Sequence, residues 1–207
     1  MICIDLYAGL GGWAEGFLAE GFDVIGFDNG DCAVDLRAYP GQLVIQDVLT
    51  LHGRQFKDAA IIVASSPCQA YSYRAMPWTR AKALPPPDNT LFEACFRIQR
   101  EACEASGRHI PLIVENVCGA QKWVGRAKWH FGSYYLWGDV PALMPISEDA
   151  GVKIGGGWFY DRKDNPMRKG SSKSSARKMA SAMIAKIPFP LARHIARCYR
   201  HGMGGKD

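Results

Sequence analysis

The sequence predicts an α/β fold, a doubly wound and mostly parallel sheet with a minimal second region. Three observations carry this expectation. Short apolar runs alternate with a segment of helical spacing, the pattern of strand–helix–strand units. The first run ends on a glycine-rich turn that opens a helix. The later runs end on Asp28, Asp47, the turn at Cys68, and Glu115 with Asn116. In an open sheet of this kind such strand ends share one edge, where ligands bind.

The elements follow in order. Residues Ile2 to Tyr7 read as the first strand, and Ala8 to Gly12 (AGLGG) as the turn. Trp13 to about Glu20 is helical and Gly21 stops it. Phe22 to Phe27 is the second strand, Leu43 to Ile45 the third and Ala60 to Ala64 the fourth. Thr90 to Ala105 places Leu91, Ala94, Cys95, Ile98 and Ala102 on one helical face, with Asp88 or Asn89 as its cap. Pro111 to Val114 is the fifth strand and Ser133 to Trp137 a sixth, aromatic one. Ala176 to Lys186 reads as helix. Pro188 starts another, with Leu191, Ile195 and Cys198 or Tyr199 on an apolar stripe. Met76 to Asp88 is proline-rich, either a lid or a passive surface loop. Residues 148–175, rich in Gly, Ser and Lys, read as irregular.

Composition narrows the class. The 207 residues are 48% hydrophobic and 22% charged, ordinary values for a globular chain with one core. No stretch is long and apolar enough to span a bilayer, and Met1 leads into a strand without the basic and apolar regions of a signal peptide. Seven scattered cysteines without a Cys-x-x-Cys pair give no zinc site and no disulfide framework, so no metal is expected and a reducing cytoplasm is the expected location. Charge is uneven. Residues 1–150 hold 12 Lys and Arg against 17 Asp and Glu, whereas residues 151–207 hold 13 against 3. A basic end on a mildly acidic body suggests either a polyanion contact or a solvated tail.

Pro67-Cys68-Gln69 is the most telling turn. A thiol leaving an apolar strand on a proline-fixed turn is either presented to a substrate as a nucleophile or packed as a small hydrophobe. Glu115 is either an acid and hydrogen-bond donor beside that thiol or a polar strand terminus. The glycine turn lets backbone approach a ligand, and the helix start offers free N–H donors. It lacks the phosphate-loop pattern, so a carboxylate suits it as well as a phosphate. Asp28 ends the second strand where an acid can take ribose hydroxyls.

Together these residues resemble the cytosine-5 DNA methyltransferase family. Asp5 to Gly12 (DLYAGLGG) is similar to its cofactor-binding first motif, Ser66 to Ser72 (SPCQAYS) to its nucleophile motif, and Glu115 to Val117 to its Glu-Asn-Val motif. Arg126 and Lys128 loosely match its Gln-x-Arg-x-Arg segment, and Ile187 to Ala192 its closing motif. The resemblance covers roughly 1–145 and 176–200. It implies a Rossmann-like, S-adenosylmethionine-dependent methyltransferase fold. It also implies a catalytic set of Cys68, Glu115, Asn116 and Arg126. The implied S-adenosyl-L-methionine site is Asp5, Tyr7, Ala8, Gly9, Leu10, Gly11, Gly12, Asp28, Asn29, Asp47, Val48, Pro67 and Leu91. Ser66, Gln69, Ser72 and Lys128 are implied to meet the substrate. The implied reaction flips a cytosine out of DNA, adds Cys68 to C6 and methylates C5, with Glu115 holding N3 and N4.

The chain also departs from the family pattern. The gap 138–175 is short for a recognition domain, the paired arginines are reduced to Arg126 and Lys128, and Ala185-Lys186 stands where a Gly-Asn pair is expected. The expected organisation is a catalytic domain over 1–145, a short basic segment over 146–175, and C-terminal helices over 176–207 that pack back on it. Basic residues 162–178 are expected to grip phosphates with little sequence selection, and a protein partner is a possible source of recognition. A tRNA cytosine-5 methyltransferase, a transferase acting on free nucleotides, an inactive nucleic-acid-binding regulator, and an enzyme using a modified sulfonium donor are the competing readings. A bacterial or phage-infected cell is the expected setting.

Overall fold

The computed structural model describes residues 1–31, 36–71, 85–144, 182, 183 and 185–202, with the side chains of the last two left out. Seven strands form one sheet: β1 (Ile2–Leu6), β2 (Asp23–Asp28), β3 (Gln42–Ile45), β4 (Ile61–Ser65), β5 (Leu112–Asn116), β6 (Trp129–Phe131) and β7 (Tyr134–Gly138), in the order β3-β2-β1-β4-β5-β7-β6. Strands β1 to β5 run parallel. Strand β7 is antiparallel to β5, and β6 to β7. The chain builds outward from β1 to β3, then returns to lay β4 on the other side of β1. The switch point between β1 and β4 opens the crevice in which doubly wound sheets hold ligands.

The helices are α1 (Gly12–Ala19), α2 (Thr90–Ser106), the single turn α3 (Gln121–Val124) and α4 (Phe189–Gly202). Central strands are apolar on both faces because both faces are covered. Cys3, Ile61, Val63, Ile113 and Leu136 pack toward α1 and α4 with Trp13, Phe17, Leu191 and Ile195. Ile4, Leu6, Ile62, Leu112 and Val114 pack toward α2 with Phe92, Cys95, Ile98 and Ala102. Asp88, rather than the side chain of Asn89, caps α2: its Oδ1 accepts from Thr90 N at 2.8 Å.

Helix α4 lies along α1 at a separation only glycine allows. A Cβ on Gly16 would sit 2.4 Å from Ala192 Cβ, and one on Gly12 would sit 2.5 Å from Ile187 N. Glu20, with 8% of its side chain exposed, closes the seam by accepting from Arg193 Nε at 2.6 Å and Arg197 Nε at 2.8 Å.

Strand β6 was absent from the sequence expectation. It has three residues, two of them exposed, and so carries almost no apolar signal. The predicted helix 176–186 is described only at Ala182, Met183 and Ala185, which are helical. Ser72, residues 76–84 of the Met76 to Asp88 loop, the irregular stretch 148–175 and the basic stretch 162–178 lie outside the described residues. Among the described residues no helix is long and apolar enough to cross a membrane.

Candidate active site

Register brings the predicted strand ends together. Leu6 pairs with Ala64, and Ser65 with Glu115. The glycine turn after β1, the Pro67-Cys68 turn after β4 and the Glu115-Asn116 end of β5 therefore share one edge.

The glycine turn is built from left-handed backbone at Tyr7 (φ 60°), Gly9 (φ 48°) and Gly11 (φ 70°). Such φ values cost a side-chain-bearing residue, and Tyr7 carries that strain. Its hydroxyl donates to Leu91 O at 2.7 Å, tying the turn to α2. Burial holds that phenol protonated, well above its ordinary range. Asp28 braces the turn from β2: its Oδ2 accepts from Gly9 N at 3.1 Å and its Oδ1 from Gly30 N at 2.9 Å. Asp47 is exposed, and its Oδ1 accepts from Leu49 N at 2.9 Å in the short 3-10 turn that begins at Val48.

A cavity of about 370 Å³ opens over this edge. Its walls are Tyr7, Ala8, Gly9, Leu10, Gly12 and Trp13 from the turn and α1. Asp28, Asn29, Asp31, Asp47 and Val48 come from the ends of β2 and β3, and Ser65, Pro67, Gln69 and Leu91 from the β4 side. Ala182, Ala185, Lys186 and Ile187 form the returning chain. That volume lies within the usual range for small-molecule sites, about 300–1,000 Å³. The residues fit an adenosine-bearing sulfonium. Asp28, Asp31 and Asp47 offer acceptors for ribose hydroxyls and an adenine amine, apolar Leu10, Val48 and Leu91 give faces to a ring, and the first turn of α1 supplies unpaired N–H groups.

Eleven of the thirteen residues expected to hold a cofactor line this cavity; Asp5 and Gly11 do not. Asp5 shares a sheet face with Cys3 and is 1% exposed beneath α1. Tyr39 donates to its Oδ2 at 3.0 Å, and its Oδ1 makes no hydrogen bond. Burial raises the Asp5 carboxyl well above the usual range, the Tyr39 hydrogen bond opposes that rise, and the nearby Asp28 adds to it. Gly11 faces Tyr39 and Pro40. Asp5 and Gly11 therefore support the turn from behind.

Cys68 is partly exposed at the end of β4. The loop that carries it is pinned at both ends. Asn116, 1% exposed, donates from Nδ2 to Ser66 O at 3.0 Å and to Ser66 Oγ at 2.9 Å. Cys68 O accepts from Tyr71 N at 3.0 Å, and the Tyr71 hydroxyl donates to Asn89 Oδ1 at 2.9 Å. Ser66 and Asn116 thus hold the turn from within.

Glu115 is 5% exposed and shares its sheet face with Tyr134. Burial first, and the Glu115 charge second, push the Tyr134 phenol up. Arg126 and Lys128 are exposed ahead of β6 and do not line the cavity. Among the described residues no cluster of three His, Cys, Asp or Glu could hold a metal.

Sequence reasoning missed Trp13, Ser65, Asp31, Lys186 and Ile187 as wall residues. Trp13 Nε1 donates to Ser65 Oγ at 3.0 Å, roofing the edge between β1 and β4. A tryptophan at a helix start beside a glycine turn was the one signal available. Ser65 and Asp31 flank the predicted turns at the ends of β4 and β2, and Lys186 and Ile187 depend on chain return.

The family model of C-5 cytosine-specific DNA methylases matches residues 1–122. No curated protein matches the chain. Among solved structures, it is similar to a DNA modification methyltransferase encoded within an E. coli prophage, at 24% identity and a TM-score of 0.43, covering 60% of this chain and 34% of that one. It is also similar to the S. pombe Dnmt2 methyltransferase, at 16% identity and a TM-score of 0.41, covering 59% and 36%. The Entamoeba histolytica methyltransferase EhMeth is similar at 14% identity and a TM-score of 0.40, covering 59% and 39%. The chain thus spans little more than a third of the length of these structures. With its Cys68 turn and its Glu-Asn strand end both inside the matched residues, the chain belongs to the C-5 cytosine-specific DNA methylase family.

Proposed function

We propose that this protein is a DNA cytosine-5 methyltransferase that works through a covalent Cys68 adduct and an S-adenosylmethionine-type donor. One observation supports it above the others. A partly exposed Cys68 and a buried Glu115 stand at adjacent strand ends, beside a nucleoside-sized cavity.

A base inside a duplex is out of reach, so the cytosine enters the site flipped. Cys68 attacks C6 as thiolate, forming the Cys68–C6 bond and moving electron density to C5. Glu115 holds N3 and N4 and offsets the charge that gathers on the ring, a part suited to a buried carboxyl. Asn116 keeps the attacking sulfur in place by holding Ser66, and Gln69 reaches the same edge. Gly9, Leu10, Trp13 and Leu91 would hold the donor against Asp28 and Asp47. When bound, the donor supplies an electrophilic carbon on a sulfonium. A water then takes the C5 proton and the thiolate leaves. Residues 1–145 with the returning helix would form the catalytic unit, and Arg126, Lys128, Ser72 and the basic stretch 162–178 would meet the nucleic acid. A partner protein would supply target selection, in the cytoplasm of a bacterial or phage-infected cell.

The test is incubation of the full chain with labelled donor and, separately, DNA, tRNA or dCMP, followed by nucleoside mass spectrometry. Label at C5 of DNA cytosine, a covalent adduct with 5-fluorocytosine DNA, and loss of both in Cys68→Ser are expected. Label on tRNA alone moves the reading to tRNA. Full activity in Cys68→Ser refutes the mechanism.

A further inference from the structure

Among the described residues that line the donor cavity, Lys186 is the single cation, facing a wall otherwise charged by Asp28, Asp31 and Asp47. Its Nζ lies 2.6 Å from Glu15 Oε1, and 26% of its side chain is exposed. Three contacts fix its end of the cavity. The Ile187 backbone packs on Gly12 at the start of α1. The Tyr134 hydroxyl donates to Lys186 O at 2.9 Å, and Tyr134 lies on the sheet face of Glu115, because Glu115 pairs with Leu136 two residues away. Trp13, also on the wall, bonds Ser65, the register partner of Glu115. Lys186 therefore stands toward the reacting edge, whereas Asp28 and Asp47 stand beyond β1, at the ends of β2 and β3.

A donor with its ribose at Asp28 brings its reactive carbon toward Lys186. An ammonium facing a sulfonium is a like-charge contact, relieved in part by Glu15. S-adenosylmethionine has one carboxylate, and the first turn of α1 already offers it unpaired N–H groups. The cavity thus has two seats for an anion, and that donor fills one.

We propose that the donor is an S-adenosylmethionine derivative bearing a carboxylate on the transferred carbon, that Lys186 exchanges Glu15 for this carboxylate, and that the product is 5-carboxymethylcytosine. This rests on the cytosine-5 transfer proposed above. The step balances without an oxidant. C5 of the Cys68-bound ring bonds to the CH₂ carbon as the carbon–sulfur bond breaks, and the sulfur keeps that electron pair as a neutral thioether. The C5 proton passes to solvent, and the Cys68–C6 bond opens to return the thiolate.

The test is calorimetric binding of S-adenosylmethionine and of its S-carboxymethyl counterpart to the full chain without nucleic acid. Roughly tenfold or tighter binding of the carboxylated donor is expected, the scale of one charge-assisted hydrogen bond. Lys186→Met should cancel that preference, and Lys186→Arg should keep most of it. Equal affinities in the wild type, or an equal loss for both donors in Lys186→Met, overturn the proposal; the second result assigns Lys186 to the amino-acid carboxylate. Should Lys186→Met fail to fold, the wild-type comparison decides alone. With DNA present, mass spectrometry should find carboxymethylated cytosine with the second donor. Absence of any Cys68 adduct on 5-fluorocytosine DNA with either donor would defeat the parent reading, while the binding preference stays readable.

Discussion

Replacing Asn116 by Asp tests how the Cys68 loop is held. The two side chains have nearly the same shape, so packing is preserved. The chemistry reverses: Asn116 Nδ2 donates to Ser66 O at 3.0 Å and Ser66 Oγ at 2.9 Å, and a carboxylate there presents only acceptors. The Ser66 hydroxyl can rotate to donate, but the Ser66 carbonyl cannot. Leaving one buried acceptor without a donor costs about 1–3 kcal/mol, and burying a charge at a residue 1% exposed adds to it. The sign with pH follows. Burial raises the introduced carboxyl above its unfolded value of about 3.9, so the variant is destabilised where the folded carboxyl is forced to ionise. Its deficit against wild type should therefore shrink as pH falls through the raised folded value, because the protonated acid donates to Ser66 O again. Urea unfolding over a pH series measures this. Adduct formation on 5-fluorocytosine DNA should slow at neutral pH, while donor affinity changes little, since Asn116 does not line the cavity. Wild-type stability and adduct rate at neutral pH would show that the Ser66 contacts do not position Cys68.

Three further outcomes are expected. Gly12→Ala should lose about 1–3 kcal/mol in denaturant unfolding and weaken donor binding, because its Cβ would meet Ile187 backbone N at 2.5 Å and O at 2.7 Å; unchanged binding refutes the close approach. Tyr39→Phe removes the hydrogen bond to Asp5 Oδ2 and should destabilise the chain by about 1–3 kcal/mol, read as a lower urea midpoint. Glu20 is held below its ordinary carboxylate range, first by the Arg193 hydrogen bond and then by Arg197. Its stabilisation is present above the unfolded value and fades as pH falls through the lowered one, so Glu20→Gln should flatten the acid limb of the stability–pH curve. An unaltered acid limb would remove Glu20 from the α1–α4 seam.

The parallel strands were legible because a strand covered on both faces must be apolar throughout, as Ile61 to Ala64 and Leu112 to Val114 are. Cys68 and Glu115 were legible because polar residues ending such runs must lie at the sheet edge. The burial of Asp5 was not legible for the complementary reason. That residue belongs to the same motif, but strand alternation turns it under α1, where Tyr39 arrives from a distant turn. Ser66 and Asn116 form a pair fifty positions apart, and no local pattern marks such a pair. Lys186 became a wall residue only when the end of the chain returned to the first helix, a consequence of Gly12 and Gly16 that spacing in the sequence cannot express.

The cavity at the sheet edge draws its walls from Tyr7 to Trp13 and from Ala182 to Ile187, two stretches that meet only after nearly the whole polypeptide has been wound between them. Occupancy of that seat is therefore a readout of tertiary completion: a ligand recognising both stretches favours the finished fold over every partly assembled one. Thermal midpoints followed against donor concentration should rise in a single cooperative transition, with the first and last helices melting together.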